Sequence, residues 1–106
     1  MISFDEFKKM EIKVAEVMEI KDHPDADKLY VMKIKIGEEE REIVAGIKPY
    51  YRSEELVGKQ IVVVTNLEPA TIRGIESQAM LLAAKDESTI SVLTPDKAVK
   101  SGSSIG

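Results

Sequence analysis

Residues 28–45 constrain the fold most. From Lys28 to Ile36 the chain alternates strictly, with Tyr30, Met32, Ile34 and Ile36 on one side and Leu29, Val31, Lys33 and Lys35 on the other. Successive side chains of a strand point to opposite faces, so this pattern predicts a strand with one face buried. Gly37 and the acidic run Glu38 to Glu40 supply a solvated hairpin turn. Arg41 to Ala45 then returns as the next strand.

The flanking segments extend this β pattern. Ser3 followed by Glu6 forms a capping box with Ile2 and Phe7 as a hydrophobic staple, predicting a short helix from about Phe4 to Lys9. Glu11 to Lys21 reads as a long strand with Ile12, Val14, Met18 and Ile20 on one face. Glu16 interrupts that face, and a bulge near Ala15 is expected to re-aim it. Within Gly46 to Gly58, Ser53 caps a small helix whose Glu54 and Glu55 complement its dipole. Lys59 to Leu67 carries Ile61-Val62-Val63-Val64, a β-branched run suited to a central strand. Gln78 to Ala84 and Thr89 to Thr94 supply further strands, and Pro95 to Gly106 is too poor in apolar residues for a core element of its own.

Five or six short strands, with one helix after the third, predict an all-β fold: a five-stranded Greek-key barrel of the OB type. It carries a short N-terminal helix, a small helix between strands 3 and 4, and a C-terminal extension. A single domain over residues 1–106 is expected, with 1–10 as the N-terminal helix region and 95–106 as the tail. In such a barrel the outer face of strands two and three, with its loops, meets oligonucleotides. Lys33 and Lys35 lie on that face.

Charge and composition narrow the function. The chain has 106 residues, 43% hydrophobic and 32% charged, the profile of a globular protein. Its net charge is −4, with each side of Ser53 contributing −2, which argues against coating nucleic acid through bulk charge alone, so any positive site must be made by folding. The absence of cysteine excludes thiolate chemistry and points to a cytoplasmic setting. The early charges at Asp5 and Glu6 predict no signal peptide, and no apolar run reaches membrane-spanning length.

Catalysis finds little support. His23 is the sole histidine, and its neighbours Asp22, Asp25 and Asp27 lack the ligand ladder of a calcium loop. The segment reads as a structural turn, with no metal or other cofactor expected. The stretch from Asn66 to Ala84 is more informative. It places an amide (Asn66), a cation (Arg73) beside Gly74, a hydroxyl (Ser77) and Met80 within one loop between two strands. Arginine forks two bonds to phosphate or guanine, which suits binding rather than chemistry. The bland alternatives are a surface Arg73 paired with Glu68 or Glu76, an Asn66 that closes its turn, and a Met80 buried in the core.

Four blocks carry a family resemblance: Asp22-His23-Pro24-Asp25-Ala26-Asp27-Lys28-Leu29-Tyr30-Val31, Arg41-Glu42-Ile43-Val44-Ala45-Gly46-Ile47, Asn66-Leu67-Glu68-Pro69, and Arg73-Gly74-Ile75-Glu76-Ser77-Gln78-Ala79-Met80. Together they resemble the tRNA-binding domain family, which includes the methionyl-tRNA synthetase C-terminal domain or beta chain and the EMAP II-like cofactors. The resemblance implies a non-catalytic OB barrel that grips the tRNA elbow by shape and assists aminoacylation. It also implies a homodimer, with Phe4, Phe7 or the 95–106 tail as candidate interface, and a methionyl-tRNA synthetase catalytic chain as partner. Lys33, Asn66, Arg73, Ser77 and Met80 match positions the family uses at its RNA-facing surface, and Lys28 matches its lysine ahead of the second strand. Three positions depart. The family often has lysine at Glu68, a basic residue at Thr71 and glycine at Ala79, so the loop here carries less positive charge. Two other readings stay open, a dimerisation scaffold with weak RNA affinity and a secretion-chaperone-like member of the same family.

Overall fold

The computed structural model describes residues 1–106. Helix α1 (Phe4–Phe7) starts at Ser3, whose hydroxyl accepts the Glu6 N–H at 3.2 Å. The cap is in place, but the box is not closed: the Glu6 carboxylate meets the Ser3 hydroxyl at 3.5 Å instead of the Ser3 N–H. Three long strands follow: β1 (Ile12–Asp22), β2 (Tyr30–Ile36) and β3 (Glu39–Ala45). Helix α2 (Ser53–Leu56) leads into β4 (Gln60–Val64). The remaining strands are short: β5 (Ala70–Ile72), β6 (Ile75–Ser77), β7 (Met80–Leu81), β8 (Ala83–Lys85), β9 (Ile90–Val92) and β10 (Ser104–Ile105).

The main sheet runs β3-β2-β1-β4-β7, all antiparallel, with β10 also on β1. It curls into an OB-like barrel, as the sequence predicted. Its interior is built from the alternation in β2: Tyr30, Met32, Ile34 and Ile36 all join the main core, with Ile43, Leu56, Ile61 and Val63. The first half of β1 differs from expectation. Ala15 and Val17 face this core, while Ile12 lies on the other side of the sheet in a second cluster with Val62 and Val64, against Phe7 and Leu82. Both faces of β1 are covered there, so alternation alone misassigns them. Glu16 shares its face with Ile12 and pairs across the strands with Gln60 and Lys35.

The bulge falls at Met18 rather than near Ala15, where the register with β2 shifts between Val17 and Glu19. One extra residue inverts the phase, so Ile20 returns to the core side opposite Met32 and Met18 turns outward. The cap of α2 is also one residue earlier than expected. Arg52 holds the cap position, and the Glu55 carboxylate accepts its N–H at 2.8 Å, a bond that holds the Glu55 carboxyl below its ordinary value.

The tail is structured. Ser103 accepts from the Val14 N–H, the Gly102 N–H donates to Val14, and β10 extends β1. The Ser101 hydroxyl accepts from Gly37 and donates to the Lys35 carbonyl, tying the tail to the β2–β3 turn. Gly102 adopts φ 91°, and a Cβ there would lie 3.0 Å from the Gly37 nitrogen, so only glycine fits. No helix is long and apolar enough to cross a membrane.

Candidate nucleic-acid interface

The barrel closes between β3 and the β6–β7 segment through side chains as well as backbone. The Ser77 hydroxyl accepts the Val44 N–H and donates to the Ala79 carbonyl, each at 3.0 Å. Gln78 accepts the Glu42 N–H through its side chain and donates its own N–H to the Glu42 carbonyl, both at 2.9 Å. Arg41 donates to the carbonyls of Thr65 and Gln78. Ser77 is buried, and its hydroxyl is committed to this seam.

The strands β5 and β6 form a hairpin that sequence reading took as a loop. Its turn is Arg73-Gly74, with φ of 51° and 88°. Two left-handed residues are what a two-residue type I′ turn needs. Arg73 is the only non-glycine residue with positive φ. Its guanidinium reaches across to donate to the Asp25 carbonyl at 2.8 Å. That carbonyl belongs to the β1–β2 loop, residues 23–29, which a His23-to-Leu29 backbone bond closes at its base.

Lys28 and Arg73 line one shallow depression at this junction, together with Asp25 and Asp27. Neither cation is in an ion pair. Below the hairpin lies an apolar cleft of about 160 Å³ whose walls include Val44, Leu67, Ile72, Ala79 and Met80. Met80 and Leu67 are 47% and 44% exposed, so Met80 is a wall of an open cleft and not a core residue.

The outer sheet face is different. Lys33 is exposed, and β-pairing sets it between Glu19 and Glu42, with its ammonium 3.8 Å from Glu19. Lys35 sits between Glu16 and Glu40 in the strand register, without an ion pair to either. Asn66 stands apart from both regions. Its amide donates to the Lys9 carbonyl and its oxygen accepts the Glu11 N–H at 2.8 Å, fastening the end of α1 to the barrel.

The structure thus brings Lys28 and Arg73 together, sets Met80 and Ser77 along the adjoining cleft, leaves Lys33 on the sheet and puts Asn66 at another edge. Sequence reading missed the hairpin, and Leu67 and Ile72 as cleft walls. These features define a class: a small OB-like barrel with an apolar cleft beside unpaired cations held at a loop–hairpin junction. A family model described as a putative tRNA-binding domain matches residues 12–104, and the chain belongs to that family.

Its relatives carry the domain within larger proteins. The chain is 52% identical over 104 residues to a methionine–tRNA ligase of Thermococcus kodakarensis, covering 98% of this chain and 14% of that protein. A methionine–tRNA ligase of Caldanaerobacter subterraneus is 50% identical over the same length, of which the chain spans 16%. Among solved structures, a MetRS-related protein from Pyrococcus horikoshii superposes with TM-score 0.93 at 34% identity, covering 100% of this chain and 98% of that one. A CsaA chaperone protein from Picrophilus torridus superposes at 0.92 with 31% identity, each chain covered fully.

Proposed function

We propose that this chain is a single-domain, non-catalytic tRNA-binding module that holds the folded elbow of tRNA and assists a methionyl-tRNA synthetase. The observation that carries the reading is the family match over residues 12–104. The unpaired Lys28 and Arg73 beside an apolar cleft support it. Phosphate neutralisation by a few cations supplies affinity, and the barrel's shape selects a folded RNA over a sequence. Linked to a catalytic chain, even weak contact raises the local concentration of tRNA at the enzyme.

Filter binding of a tRNA transcript across a salt series tests this. Arg73→Ala is expected to lower affinity and to reduce the magnitude of the salt slope by about one unit. Unchanged affinity and slope remove Arg73 from the interface, and no binding by the unaltered protein removes the reading. The module is proposed to act in the cytoplasm as a homodimer. Phe4, which is 71% exposed, supports an apolar contact at the N-terminus, whereas Phe7 packs on the barrel. Sedimentation of the protein and of Phe4→Ser decides it: a monomer in both overturns the dimer.

A second reading rests on the likeness to the CsaA chaperone protein and on the open cleft with Met80 and Leu67. A chaperone suppresses light scattering by an aggregating client, and Met80→Asp weakens that effect. Absence of suppression by the unaltered protein rejects it.

A further inference from the structure

His23 is 5% exposed and lies in the β1–β2 loop, yet its ring joins two elements. Nδ1 accepts the Asp25 N–H at 3.0 Å, within its own loop. Nε2 is 3.2 Å from the carbonyl oxygen of Ile72, the last residue of β5 before the Arg73-Gly74 turn. An acceptor at Nδ1 fixes the proton of the neutral ring on Nε2, so Nε2–H donates to Ile72. The return bond from Arg73 to the Asp25 carbonyl completes a circuit: loop to hairpin through His23, hairpin to loop through Arg73. Apart from that circuit, Arg73 is exposed at the tip of a short hairpin whose strands have three residues each.

We infer that His23 is a positioning residue that latches the β5–β6 hairpin to the β1–β2 loop and so holds Arg73 beside Lys28 as one phosphate-binding pair. This rests on the tRNA-binding reading for its ligand, but the latch is a property of the chain itself. The charged groups around it are Asp22, Asp25, Asp27 and Lys28 on its own loop, Arg73 on the hairpin, and Lys48, which pairs with Asp22 at 3.2 Å. None of them substitutes for the imidazole, because His23 is the one side chain that bonds the Ile72 carbonyl. Arg73 alone is a weak tether: its bond to Asp25 is exposed, and solvent competes with it.

The two ring nitrogens can be replaced separately. Glutamine places an N–H₂ near Nε2 and keeps the donor to Ile72; asparagine places an oxygen near Nδ1, keeps the loop bond and loses the latch. The first readout needs no RNA. Trypsin cuts after Arg73, and cleavage of a folded chain tracks local opening. His23→Asn is expected to speed cleavage after Arg73 roughly three- to tenfold, the cost of one lost hydrogen bond, while His23→Gln stays near the unaltered rate. Cleavage after Lys13 and Lys35, inside β1 and β2, should not change in either variant.

The second readout is tRNA binding across salt. In the His23→Asn background the slope should fall by about one unit, and adding Arg73→Ala should then change little, because the cation is already misplaced. Equal cleavage of the Asn and Gln variants after Arg73, or acceleration at every site together, overturns the latch. So does an undiminished effect of Arg73→Ala in the Asn background. If the unaltered protein binds no tRNA, the RNA reading fails, and the proteolysis still decides whether His23 holds the hairpin.

Discussion

The outer face of β1–β2–β3 and the junction of the β1–β2 loop with the β5–β6 hairpin both present cations, but on opposite terms. On the sheet backbone pairing fixes the register, the Met18 bulge included, and the register sets Lys33 between Glu19 and Glu42 and Lys35 between Glu16 and Glu40. At the junction few backbone bonds cross between elements, and side chains hold the parts: Ser77 at the root of the hairpin, His23 and Arg73 at its tip. Arg73 is held by a neutral carbonyl instead of a carboxylate, so it is positioned without being neutralised. The difference teaches where an acidic chain keeps usable positive charge. Arg73 is left without an ion pair where side chains tie the parts together, and Lys33 is paired with Glu19 on the sheet.

The largest effect is expected at the root. Ser77→Ala leaves the buried Val44 N–H without an acceptor, which costs about 1–3 kcal/mol. Chemical denaturation should show a lower midpoint with little change in slope. If stability were unchanged, the seam would not depend on its side chains and the contrast with the backbone ladder would collapse.

Arg73→Asn sharpens the contrast from the other side. Asparagine tolerates the left-handed backbone better than arginine does, and Asn-Gly is a favoured type I′ turn. Stability should hold or rise by up to about 1 kcal/mol. Affinity for tRNA should nevertheless fall severalfold at low salt, since one phosphate contact is gone. A variant both more stable and tighter would show that the turn, and not its charge, serves the site.

The same contrast explains what was legible beforehand. The faces of β2 were readable because one side is wholly apolar, and the Ser3 cap because its partner is three residues away. The hairpin was not. Its strands have three residues each, too short for a period, and its turn carries Arg73 where the usual signal is Asn or Asp. Arg73 and Lys28 stand out in the sequence, but the bonds at their junction, His23 to Ile72 and Arg73 to Asp25, span 49 and 48 positions, which no local pattern displays. The tail's composition offers no core element, and its strand is hidden for a related reason: β10 is two residues long and is held by backbone bonds to β1 that composition does not reveal. In the first half of β1, burial on both faces hid which side met the core.

The smallest effect concerns the cancelled cations. Glu19 and Glu42 flank Lys33, and the Glu19 carboxylate and Lys33 are 74% and 46% exposed, so the pair contributes about 0–1 kcal/mol to stability. Glu19→Gln and Glu42→Gln should therefore leave denaturation curves unchanged. Their effect on RNA depends on how far the ligand extends over the barrel. With binding confined to the junction, each variant improves tRNA affinity by less than about twofold, through the long-range field alone, because exposed charges beyond a Debye length are screened. With RNA lying across the sheet, freeing Lys33 adds a phosphate contact, and the salt slope steepens by up to about one unit. A steeper slope in both variants would break the comparison by making the sheet face a second site whose carboxylates hold affinity down. An unchanged slope keeps the division as the structure draws it, with cations flanked by carboxylates where backbone pairing sets the register and unpaired where side chains join the hairpin to the loop.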